Sequence, residues 1–118
     1  MDSKKEIWVK LGKIMRFSPD RKEIAYYIDF TGTGYQISNF GRLKGKNGNI
    51  LSTKRLLNGY IVNCIHDINN KPFVMKRHIL VMCCFRQEEY SKFKYIRHLD
   101  RNKLNNRLDN LEWIKMKL

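Results

Sequence analysis

The chain has 118 residues, with 24 Lys and Arg against 11 Asp and Glu and a formal net charge of +13; this length suits one small domain. Hydrophobic residues make up 42% and aromatics 12%, enough for a modest core, which excludes a charge-extended disordered tail. The longest apolar run, Ile79 to Phe85, has seven residues, against roughly 18 to 20 needed to cross a bilayer. Met1 to Lys13 holds no signal-peptide apolar stretch, so an intracellular protein, cytoplasmic or nuclear and not secreted, is expected, with no membrane partner.

In chain order, Ile7-Trp8-Val9 and Ile24 to Phe30 read as strands on either side of a turn at Ser18-Pro19-Asp20-Arg21. Tyr35 to Ser38, Arg42 to Lys44, Ile50 to Thr53, Tyr60 to Ile65 and Pro72 to Met75 follow as short strands. Asn39-Phe40-Gly41, Lys46 to Asn49, Asn58-Gly59 and Asn69-Asn70 separate them. Asn-Gly tolerates positive φ, so Asn47-Gly48 and Asn58-Gly59 predict tight hairpins and an antiparallel meander. From Lys76 the spacing of Ile79, Leu80, Met82, Cys83 and Phe85 predicts a short buried helix ending before Gln87-Glu88-Glu89, although so short an apolar run also fits a buried strand. Tyr95-Ile96 and Leu111 to Ile114 bracket a polar loop as two further strands. The class expected is α+β.

The charge is uneven. Residues 30 to 66 carry five basic groups, Arg42, Lys44, Lys46, Lys54 and Arg55, and no acid, while residues 91 to 118 carry eight basic groups and three acidic. Such stretches suit a phosphate backbone, so nucleic acid is the expected partner, and no protein partner is indicated. Trp8 and Trp113 read as core, whereas Tyr26-Tyr27 is polar enough in context to stack on bases. Cys64, Cys83 and Cys84 form no C-x-x-C pair, so buried thiols are expected in place of a disulfide framework or zinc ribbon. Lys, Ile and Asn together supply 38 residues, the bias that A+T-rich viral or organellar coding sequence produces; a viral source would place the protein in an infected cell.

From Tyr95 the chain runs YIRHLDRNKLNNRLDNLEWIK. Asp100, Asn102, Asn105, Asn106, Asp109 and Asn110 can bond neighbouring backbone amides and hold this loop without apolar packing. His98 stands at its head. An imidazole titrates near neutrality, and in a basic, phosphate-attracting context His98 is the best general base the chain offers; the alternative is a surface histidine beside a turn.

Arg97 to Trp113 resembles the histidine half of the HNH motif of phage- and intron-type homing endonucleases, (D/N)-H-I-D-G-N-K-x-N-N-R-x-x-N-L-x-W. RHILVMCCF, Arg77 to Phe85, is similar to the family's H-R-L-V-A-x-A-F helix, with His78 and Phe85 in place. YQISNFGRLKG at Tyr35 to Gly45 and NGYIV at Asn58 to Val62 resemble the nuclease-associated module that precedes such units. The resemblance spans Tyr35 to Trp113 and implies two parts: a β-rich DNA-binding module over 1–75, then a ββα-metal (His-Me finger) unit over 76–118. It assigns His98 as the base that deprotonates water and Asn110 as the residue that orients it and braces the loop. In the family a single divalent cation, typically Mg²⁺, offsets charge at the scissile phosphate.

This chain departs from that pattern on the metal side. Arg97 stands where the family has an Asp or Asn ligand, and a guanidinium offers no lone pair. The second ligand position falls one residue past Leu118, so the closing helix is expected to be largely missing. Arg101 replaces the usual Gly after Asp100. The expectation is therefore a nucleic-acid-binding protein derived from such nucleases, catalytically degenerate, without a metal site or cofactor. Its phosphate-gripping residues would be Arg42, Lys44, Lys46, Lys54, Arg55, Arg77, Arg97, Arg101, Lys103 and Arg107. Double-stranded DNA is favoured over RNA. The alternative is an active endonuclease that nicks DNA with His98 as base and Mg²⁺ as cofactor.

Overall fold

Leu57 faces Tyr60 across the two-residue turn Asn58-Gly59, whose φ angles of 53° and 84° give the hairpin that the Asn-Gly dipeptide predicts. The computed structural model describes residues 4–17, 25–87 and 95–115. The strands are β1 (Trp8–Lys10), β2 (Lys13–Phe17), β3 (Ala25–Asp29), β4 (Gln36–Ser38), β5 (Leu43–Lys44), β6 (Leu56–Leu57), β7 (Tyr60–His66) and β8 (Pro72–Lys76). Helix α1 (Arg77–Phe85), β9 (Tyr95–His98), a 3-10 turn (Leu108–Asn110) and β10 (Leu111–Ile114) complete the order.

Among the described residues the strands form four small antiparallel sheets, β1-β4-β5, β2-β3, β6-β7-β8 and β9-β10. Only β6-β7-β8 is a consecutive three-stranded meander; β1 instead reaches across the chain to pair Trp8 with Ser38. Strands β2 and β6 are additional to the sequence expectation. The expected strand Ile50 to Thr53 reduces to one bridge, Ile50 to Lys44, because the Gly45 to Asn49 turn closes on itself through Gly45 N–H to the Asn49 carbonyl at 2.7 Å. The apolar run after Lys76 is a helix: its Leu80, Val81 and Met82 side chains fill the core. The helix ends at Phe85, ahead of Gln87 as expected; the Ser18 to Arg21 turn and the chain after Lys115, with the expected remnant of a closing helix, lie outside the described residues.

One buried cluster unites the elements, from Phe30, Ile37 and Leu43 through Ile65 and Leu80 to Leu108, Leu111 and Trp113, drawing on residues from both sides of Met75. Burying each such side chain contributes about 1.5 to 3 kcal/mol. The turn after β4 is packed directly onto the polar loop. Ser38 Oγ accepts the backbone N–H groups of Phe40 and Arg42, both at 3.2 Å. The Asn39 carbonyl accepts Leu108 N–H at 2.8 Å. Asn39 also anchors the N-terminal strand, its side chain accepting from Ile7 N–H at 2.6 Å and donating to the Lys5 carbonyl at 2.9 Å.

Arg77, expected on the phosphate-facing surface, is instead 1% exposed. Its guanidinium donates to the Gly41 carbonyl at 3.0 Å, the Ser52 carbonyl at 3.3 Å and Asn63 Oδ1 at 2.6 Å. It ties two loops to strand β7 from inside; burial lowers it to about 10, and it has no surface left for a phosphate.

Candidate functional site

Strands β9 and β10 pair His98 with Leu111 and Arg97 with Glu112, and the loop between them folds on its own side chains. Asp100 N–H donates to Asn110 Oδ1 at 3.1 Å, and Asn110 Nδ2 donates to Asp100 Oδ1 at 2.9 Å and to the Asn105 carbonyl at 2.8 Å. Asp100 also accepts Asn105 Nδ2 at 2.8 Å and Asn102 N–H at 2.8 Å. These bonds hold the Asp100 carboxyl below its ordinary 3.8, Asn105 contributing most, then Asn102 and Asn110. Arg101 closes the turn with φ at 63°, a conformation that a glycine there would adopt more cheaply.

His98 is buried, 6% exposed, and its Nε2 lies 2.8 Å from Asn106 Oδ1. An amide oxygen only accepts, so Nε2 carries the hydrogen, and in the neutral ring the lone pair is on Nδ1. Asn110, expected to orient the histidine, bonds Asp100 and Asn105; the contact to the imidazole comes from Asn106. Loop brace and ring holder are thus separate residues.

His98 opens onto a cleft of about 710 Å³ between β2, α1, the β6–β7 turn and the β9–β10 pair. Among the described residues Arg16, Lys76, Arg97, Arg101 and Lys103 line it, and no carboxylate does. Its aromatic wall is a triangle of rings. Tyr60 stacks on His78 with centroids 4.6 Å apart, His78 lies 5.3 Å from His98, and Tyr60 lies 6.1 Å from His98. Lys76 and Lys103 place their ammonium groups 5.0 and 4.7 Å from the Tyr60 centroid. Lys103 also donates to the Asn58 carbonyl at 3.3 Å. Burial lowers His78 from 6.5 to about 3, helped by the charges of His98, Lys76 and Arg16.

Arg97 and Glu112 form a cross-strand ion pair, both side chains nearly half exposed. The donors here do not suit a divalent cation. A guanidinium occupies the position before His98, Glu112 is paired to it, both Asp100 oxygens are engaged in the loop, and no group of three acidic, His or Cys ligands exists among the described residues. Zinc finds no cluster either. Cys64 is exposed, while Cys83 and Cys84 are held protonated by burial, each at about 12.

The remaining basic residues are dispersed. Arg42 pairs with Glu6 and, with Lys44, flanks Trp8, which is a half-buried surface ring and not core. Lys46 lies over Tyr35 at 5.7 Å, and Arg107 covers Phe40 at 4.1 Å while pairing with Asp109 at 3.4 Å. Lys54 and Arg55 are exposed just ahead of β6. Sequence reasoning brought Arg97, Arg101, Lys103 and His98 to one place but missed Arg16, Tyr60, Lys76 and His78. His78 carried a signal, its match to the helix motif; Arg16, remote in sequence, carried none.

A strand pair presenting a held histidine over a self-bonded Asn-rich loop agrees with the HNH resemblance. Residues 88–117 match the family model described as HNH endonuclease. An uncharacterized HNH endonuclease of Acanthamoeba polyphaga mimivirus is 36% identical over 83 residues, covering 70% of this chain and 24% of that protein. A solved structure titled for DNA binding and cleavage by the HNH homing endonuclease I-HmuI superposes with a TM-score of 0.61 at 29% identity, covering 73% of this chain and 50% of that one. Together these matches support an HNH endonuclease-family relationship, with a homing endonuclease among the similar proteins. It spans about a quarter of the viral relative and half of the solved protein.

Proposed function

We propose that this chain binds double-stranded DNA by gripping the phosphodiester backbone in the cleft around His98, and that fixed cations there have taken over the charge role of a metal, leaving it catalytically degenerate. The observation that carries this reading is the lining of the cleft, which among the described residues has five cationic side chains and no carboxylate, with Arg97 before the histidine. A guanidinium gives phosphate a permanent charge and paired donors, which supports affinity without turnover. Residues 1–75, with Arg42, Lys44, Lys46, Lys54 and Arg55, act as the module that extends the contact along the duplex. Residues 76–118 act as the HNH unit, with β9 and β10 as the two strands of its ββα finger.

A second reading, an active nuclease, draws on one observation. Asn106 holds His98 with the Nδ1 lone pair available, the form a general base requires. His98 would then take the proton of an attacking water while the cationic wall stabilises the phosphoryl oxygens.

Two assays separate the readings. Duplex affinity followed against salt should fall with a log-log slope reflecting several neutralised phosphates; a flat response removes both. Nicking of supercoiled DNA with Mg²⁺ or Mn²⁺, wild type against His98→Ala, should show no His98-dependent product. A product that vanishes in the variant replaces the binding reading with the nuclease.

A further inference from the structure

Arg16 stands on β2, far in sequence from the polar loop, yet it lines the His98 cleft. Its Nη1 is buried and has no hydrogen-bond partner among the described residues. A buried guanidinium donor left unsatisfied is costly; Nη1 is closed off from the cleft, and it is the rest of the half-buried Arg16 side chain that lines it. His78 faces the same space from α1. Its ring is buried, stacked on Tyr60, and without a hydrogen bond among the described residues. Burial and the surrounding cations keep it neutral, so it carries one N–H donor and one lone pair.

We infer that Arg16 and His78 form a donor pair that takes a non-bridging oxygen of the phosphodiester held against His98. The inference rests on the DNA-binding reading above. The 5.3 Å between the His78 and His98 ring centroids leaves both imidazoles able to address one phosphate group from neighbouring sides. Arg16 supplies charge and a directional donor, and His78 supplies a neutral donor whose orientation the Tyr60 stack fixes. Lys76, Arg101 and Lys103 surround the pair as less directional charges. The pair is a positioning device: with two directed bonds on one oxygen, the phosphate is oriented as well as attracted.

The test uses the full chain and a 20-base-pair duplex of about that size, with Arg16→Met, Arg16→Lys, His78→Phe and His78→Gln, and Lys71→Met as a charge control outside the cleft. Arg16→Met should lower the salt slope by about one and weaken binding about tenfold or more. Its folding stability should be unchanged or raised, because the unsatisfied donor is gone. His78→Phe keeps the stack and should weaken binding about five- to tenfold with little change in slope, whereas His78→Gln should restore most of the loss. Wild-type binding with Arg16→Met and His78→Phe equal to Lys71→Met overturns the donor pair and leaves the DNA-binding reading standing. Affinity lost only in proportion to lost thermal stability overturns it as well. A wild type that does not bind removes both.

Discussion

Gly41 lies so close to Asn106 that a Cβ on it would sit 2.5 Å from the Asn106 carbonyl oxygen. The turn after β4 is therefore the seat of the loop that holds His98. Gly41 has φ at 83°, a conformation that side chains resist, so position and space both demand glycine. Gly41→Ala should cost about 2 to 4 kcal/mol in urea unfolding and speed amide exchange across residues 105–108. Loss of stability without any change at the loop would contradict the seat.

Asn106 holds His98 by one bond at 2.8 Å, so Asn106→Leu should release the ring. Imidazole nitrogen NMR should show the Nε2-protonated tautomer in the wild type and a mixture in the variant. Stability should fall by about 1 to 3 kcal/mol, the cost of an unsatisfied buried donor. An unchanged tautomer would assign ring orientation to another contact.

Acid should open the polar loop. The Asp100 carboxyl is lowered by its bonds from Asn105, Asn102 and Asn110, so its contribution is present above the ordinary 3.8 and is lost as pH falls through the lower folded value. Exchange protection of the Asn102 amide should persist at pH 5 and disappear progressively below about pH 4. In Asp100→Asn that pH dependence should be absent.

His78 predicts a separate effect at milder pH. Burial, then the charges of His98, Lys76 and Arg16, lowers it from 6.5 to about 3. Below 6.5 the unfolded chain takes up a proton that the folded chain refuses, so stability falls as pH drops from 6.5 towards 3 and is insensitive to this group above 6.5. The slope is about 1.4 kcal/mol per pH unit. Urea midpoints between pH 6.5 and 4.5 should show it in the wild type and lose it in His78→Gln; identical curves would place the ring in water.

Replacing Arg77 should damage the fold and leave phosphate contacts alone. Arg77→Met strands the acceptors at Gly41, Ser52 and Asn63, and should cost about 3 kcal/mol. The salt slope of DNA binding should not change at temperatures where the variant is folded. A slope lowered by about one would return Arg77 to the DNA contact.

What was readable in the chain was local. Asn58-Gly59 specifies its hairpin through the φ angles it permits, and the Asn and Asp residues after His98 specify a loop that bonds itself. The apolar residues after Lys76 fitted a short helix or a buried strand, and the family-like stretch Arg77 to Phe85 coincides with the helix found. Strands β2 and β6 escaped notice because they are short or basic and gain their partners from packing. Arg77 misled for a related reason: its charge resembles that of a surface residue, and only three acceptors converging from two distant loops and strand β7 show why it is inside.

The charge surplus, the tight turns and the HNH-like loop were set by composition and neighbouring residues, because each depends on backbone preferences and bonds a few positions apart. Tertiary structure decided which cations share the histidine's cleft. Arg16 from β2, Tyr60 from β7, Lys76 and His78 from the β8–α1 junction and Arg101 and Lys103 from the loop meet there because one core pulls their elements together. Charge acts through distance in space, and spacing along the chain does not record it.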